Sequence, residues 1–183
     1  MYLADENIER GILRQGDIIS KVHLLGAINL NGIQYSSLPA KPEERLSWTV
    51  PSPPKISDVM VLSHSCEIAT ENSVKVTSII LGPLRDINTA TDPARVRELI
   101  ESNEIDQANP AASFLKYFYV SPNPNLEYKD GAVVDFSKCF SVRKQSYNML
   151  VAQKLTQLTP EVANSMALKL ALYFHRSQNL AAA

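Results

Sequence analysis

Five short runs of β-type residues, each stopped by glycine, proline or a polar cluster, constrain this chain more than any other feature. Residues 18–24 alternate, with Ile18, Ser20, Val22 and Leu24 on one face and Ile19, Lys21 and His23 on the other. Residues 58–63, 74–81 (stopping at Gly82-Pro83), 114–120 and 131–136 follow, and Phe140-Ser141-Val142 extends the last or starts a new strand. Runs of this length and composition predict strands rather than helices. One strong helix closes the series. Thr159-Pro160-Glu161 supplies a cap and a proline at the first turn, and Val162, Met166, Leu170 and Phe174 form one stripe, predicting a helix over 160–175. The order predicts a mainly β, α+β fold: an antiparallel barrel of five to seven strands with a C-terminal packing helix. A helical insertion at about 88–112 starts at Thr91-Asp92-Pro93 and carries Val96, Leu99 and Ile100 on one stripe. The whole of 1–183 reads as a single domain.

Between these elements the pattern is weaker. Ile8, Ile12 and Leu13 suit a short helix within residues 1–14, and Asn31-Gly32 marks a hairpin turn. Residues 36–57 hold five prolines and the only tryptophan, Trp48, and predict an extended loop. A loop of that length is either functional or a rigid cover over the barrel mouth.

Charge and cysteine usage exclude several classes. A formal net charge of −1, with no strong run of Lys or Arg, removes any global field drawing the protein to nucleic acid or membrane. Cys66 and Cys139 show no C-x-x-C spacing, so reduced thiols in a cytoplasmic protein are expected. The first residues carry no signal-peptide pattern and no apolar run is long enough to span a bilayer, so no membrane partner is expected. No cofactor is indicated.

The chemistry concentrates in Val61-Leu62-Ser63-His64-Ser65-Cys66-Glu67-Ile68, where an apolar strand breaks into reactive side chains. A strand end is a rigid mount that leaves its loop accessible. His64, Cys66 and Glu67 suit a nucleophile with its base, a metal site or a redox sensor. They equally suit an ordinary strand terminus. Residues two apart share a strand face, so His64 and Cys66 meet if the strand continues that far. Cys66 itself is expected to be buried, because it follows an apolar strand and cysteine is among the most buried types. A zinc site would need Cys139 with Glu67 or His23 to complete it, and paired short spacings are lacking. Asp17, Arg85 and Glu67 are expected either to converge on a groove or to be solvated turn charges. Phe114, Tyr117, Phe118 and Tyr119 read as core.

Three segments resemble the PemK/MazF-like toxin family. Gln15-Gly16-Asp17-Ile18-Ile19 is similar to its opening strand, and Val59-Met60-Val61-Leu62-Ser63 to its central strand. Residues 134–142, then 154–161, are similar to the ending before its last helix. Ser63-His64-Ser65-Cys66-Glu67-Ile68 also resembles segments of small bacterial proteins associated with the same barrel. The resemblance implies an SH3-like barrel, a bacterial or phage toxin–antitoxin or antiviral defence setting, dimerisation through the barrel, and cleavage of single-stranded RNA. The ribonucleases carry an Arg-Pro pair before the central strand, and here Ser57-Asp58 stand there, with Lys55 the nearest cation. Thr77 corresponds to a family threonine. The implied groove therefore comprises Asp17, Trp48, Lys55, Thr77 and Arg85, with the ribonuclease site altered. Two functions stay open: a module binding RNA or a partner protein such as an antitoxin-like or defence-complex subunit, or an enzyme that cleaves RNA or acts through Cys66.

Overall fold

A computed structural model describes residues 1–24, 55–68, 77–90, 93–101, 103 and 115–181. The chain divides into two compact units, Met1–Val22 with Ser57–Ala183, and His23–Ile56. Of the second unit only the strand ends, residues 23–24 and 55–56, are described. The expected hairpin at Asn31-Gly32, Trp48, Phe114 and the side chains of His23 and Lys55 lie outside the described residues.

The first unit is built on a curled antiparallel sheet with several helices, an α+β arrangement. Its strands are β1 (Asp17–Leu24), β2 (Lys55–Val61), β3 (Ser78–Asp86), β4 (Tyr117–Val120), β5 (Ala132–Asp135), β6 (Phe140–Arg143) and β7 (Lys154–Gln157). Their order is β4-β5-β3-β2-β1-β7, with β6 also on β3. The helices are α1 (Ser65–Ile68), α2 (Ile87–Ala90), α3 (Pro93–Glu101), α4 (Tyr147–Ala152) and α5 (Pro160–Ala181).

β3 produces the curl. Its first half pairs β6, from Ser78↔Arg143 to Leu81↔Phe140, and its last residues pair β5, from Leu84↔Val134 to Asp86↔Ala132. The exchange falls at Gly82-Pro83, which sequence reading takes as the strand's end. Proline lacks a ladder donor and glycine tolerates a close neighbour, so the pair marks a change of partner within one strand. A Cβ on Gly82 would meet Val134 Cγ1 at 2.5 Å. β3 thus runs on to Asp86 instead of stopping at Leu81.

The core lies between this sheet and α5. Ile18, Met60, Leu62, Phe118, Phe136 and Met166 are all buried in it, with Val162, Ala163, Leu170 and Tyr173 of α5 packed alongside. A smaller cluster joins Ile87, Leu99, Tyr119 and Val133 under α3. Two stripe residues fall away from the core: Ile100 and Phe174 are exposed. Residues 1–14 are not a helix and contain only a 3-10 turn at Asp5–Asn7. Their backbone pairs elsewhere, Leu3 donating to the Gln157 carbonyl and Tyr2 bridging Leu158, so the segment extends the β7 edge. Among the described residues no helix is long and apolar enough to cross a membrane.

Candidate functional site

β2 ends at Val61, and the chain turns at once into α1. Leu62 and Ser63 remain buried and tied to β3: Leu62 N donates to the Ile80 carbonyl (2.9 Å), and the Ser63 hydroxyl accepts Ile80 N–H (2.8 Å). Ile68 is fully buried and pins the far end of the turn. Between these anchors His64, Cys66 and Glu67 are exposed. The motif therefore divides by residue type into buried fasteners and solvent-facing reactive groups.

His64 Nδ1 lies 2.9 Å from Cys66 Sγ and also accepts the Cys66 backbone N–H at 3.3 Å. The strand is over before His64, so alternation along a strand does not bring the two together. Instead His64 occupies the position before the turn and its ring folds back over the second helical residue, as a capping side chain does. Nδ1 therefore faces both the Cys66 amide and Sγ, and the ring tautomer decides which of Nδ1 and Sγ donates to the other. The Glu67 and Ile68 amides close the turn on the His64 carbonyl (3.0 and 3.3 Å). Cys66 is exposed, which overturns the expectation of burial: it stands in a turn beyond the apolar strand, not in its wall. Cys139 is half-buried, and burial pushes its thiol above the ordinary cysteine range. Neither cysteine is in a disulfide.

Among the described residues, Asp17, Thr77 and Arg85 are not brought together as a groove. Asp17 is fully buried, neither a groove residue nor a solvated turn charge. Its carboxylate sits 2.7 Å from Lys154 Nζ and accepts Arg14 N–H at 2.7 Å. Burial raises its pKa to about 6, against the opposing pull of Lys154. Thr77 and Arg85 are both exposed but lie at opposite ends of β3. Trp48 and the Lys55 side chain lie outside the described residues. At the Arg-Pro position of the resemblance, the Ser57 hydroxyl donates to the Leu84 carbonyl (3.1 Å), and Asp58 Oδ1 accepts Lys21 N–H (3.3 Å). Lys21 has a φ of 53°, a left-handed conformation uncommon for a side-chain-bearing residue, and Asp58 holds it there. Among the described residues no group of three or more His, Cys, Asp or Glu side chains is placed to hold a metal ion.

Two buried lysines escaped the sequence reading. Lys154 is fully buried in β7, and Lys169 in α5, where desolvation lowers its pKa to about 8. Lys169 had a signal, since it falls on the Met166–Leu170 face of the predicted helix. Lys154 had none. Gln15, which contacts the motif directly, carried a signal only as part of the family resemblance.

No family model matches the chain, and no curated protein matches it.

Proposed function

We propose that this protein acts through Cys66 as a nucleophilic thiol with His64 as its base. The observation carrying this is the 2.9 Å contact between His64 Nδ1 and an exposed Cys66 Sγ on a turn fastened at both ends. A thiolate is the nucleophile, and a neighbouring imidazole generates it by taking the proton. In the step this supports, Sγ attacks an electrophilic carbon or a disulfide sulfur while its proton passes to Nδ1. The bond to the leaving group breaks with its electron pair, and the leaving group takes the proton back from His64. Glu67, exposed on the same turn, places a carboxylate next in sequence to Cys66 and favours neutral or cationic substrates.

The test is competitive labelling of the native protein with iodoacetamide, read by peptide mass spectrometry. Cys66 is expected to label much faster than Cys139, and Cys66→Ser to remove the fast phase. Equal, slow labelling of both thiols would remove the reading.

A second reading is favoured by the curled antiparallel sheet closed by α5. It takes the first unit as an SH3-like barrel of the PemK/MazF type, in a toxin or defence setting, binding RNA or a protein partner. Ser57 and Asp58 supply no guanidinium fork for phosphate, so this reading is of binding rather than RNA cleavage. A Cys66→Ser protein that keeps full biological activity would favour it over the thiol.

A further inference from the structure

Gln15 and Gly16, in the turn before β1, bind the motif on both sides of His64. Gly16 N donates to the Val61 carbonyl (2.9 Å), Gln15 Nε2 to the Leu62 carbonyl (2.7 Å), and Gln15 N to the Ser65 hydroxyl (3.0 Å). His64 therefore lies within a segment whose residues 61, 62 and 65 are held by one dipeptide.

That dipeptide is itself rigid. Gly16 has a φ of +87°, which side-chain-bearing residues rarely adopt, and a Cβ there would meet Leu158 at 3.1 Å and Ala163 at 3.3 Å. The turn closes through Asp17 N to the Arg14 carbonyl (3.1 Å) and Arg14 N to the Asp17 carboxylate (2.7 Å). Asp17 is fixed in turn by the buried Lys154 ammonium. Rigidity passes from a buried ion pair, through a two-residue turn, to the strand end.

We infer that Gln15 is a positioning residue for the His64–Cys66 pair. This rests on the thiol reading and deepens it. The His64 ring reaches Sγ only while the backbone from Leu62 to Cys66 keeps its capped turn. A side chain that clamps Leu62 on one flank and offers its backbone to Ser65 on the other limits the motion that would separate them. The contribution is one of preorganisation, made through the Leu62 carbonyl and the Ser65 hydroxyl.

The experiment compares Cys66 alkylation by iodoacetamide at about pH 7 and at about pH 10, where an ordinary thiol is ionised without help. The ratio of the two rates reports assistance by His64 and is insensitive to a general change in access. Gln15→Met keeps length and bulk but lacks the donor, and Gln15→Glu turns an acceptor towards the Leu62 carbonyl. Both are expected to lower the ratio by about five-fold, the scale of one hydrogen bond, with Cys139 labelling unchanged. An unchanged ratio in both variants, where His64→Ala lowers it, overturns the role of Gln15 and leaves the thiol reading standing. An unchanged ratio in His64→Ala as well overturns the thiol reading and the inference with it.

Discussion

The Lys154 ammonium is fully buried and shares its three protons among four oxygens: Asp17 Oδ2 (2.7 Å), Gln157 Oε1 (3.0 Å) and the carbonyls of Glu9 (3.1 Å) and Ile12 (3.2 Å). Removing one partner of such a pair leaves the other charge buried and uncompensated. Lys154→Met should therefore cost about 3–5 kcal/mol in urea unfolding, and adding Asp17→Asn should recover most of it. A single-variant loss below about 1 kcal/mol would mean that the pair does not hold the N-terminal segment to β7. The pH dependence has a definite sign. Asp17 titrates near 6 when folded against 3.8 as its ordinary value, so the native state takes up the proton first as the pH falls. Its contribution is complete below about pH 4 and is lost as the pH rises through about 6. Relative to Asp17→Asn, the wild type should lose stability across that window, and the difference should be flat above about pH 7; the reverse slope would show that the ion pair outweighs burial.

The elements differ in how far their residues announced them. β1, β2, β4 and β5 carry apolar side chains where the sheet is covered, and α5 carries a stripe, so pattern and burial coincide. β7 reads Lys-Leu-Thr-Gln, and its polar residues Lys154, Thr156 and Gln157 are the buried ones. A strand whose buried face is polar inverts the signal on which pattern reading depends, and the groups that explain it, Asp17 and the backbone of Glu9 and Ile12, lie far along the chain. Gly82-Pro83 misled in another way: the same residues that stop a strand also let one strand change partners. Gly82→Ala should destabilise by about 1–3 kcal/mol through overpacking against Val134, and Val134→Ala should offset part of that loss. In α5, Met166→Ala should cost about 2–5 kcal/mol because it leaves a cavity in the core shared with Ile18 and Phe136. A loss below about 1 kcal/mol would put this helix face outside the core.

At the scale of the whole molecule, the first unit supplies a scaffold and the strand end supplies the chemistry. The sequence placed His64, Cys66 and Glu67 at a strand terminus, because an apolar run ending in polar residues is a local signal. It did not reveal how His64 and Cys66 meet, since a side chain folding back over a turn leaves no periodicity. Nor did it separate Asp17 from a surface charge, because its partner lies far along the chain. With Ser57 and Asp58 engaged in backbone hydrogen bonds, the purified protein should leave single-stranded RNA intact over hours, read by gel. Efficient cleavage abolished by Lys55→Ala would show that a lysine does here what arginine does in the PemK/MazF-like ribonucleases. The most direct measurement of the central claim is the rate of Cys66 alkylation at about pH 7 in the wild type and in His64→Ala. Proton transfer to Nδ1 predicts at least about ten-fold slower labelling in the variant, with the fold and Cys139 labelling unchanged; equal rates would contradict the account.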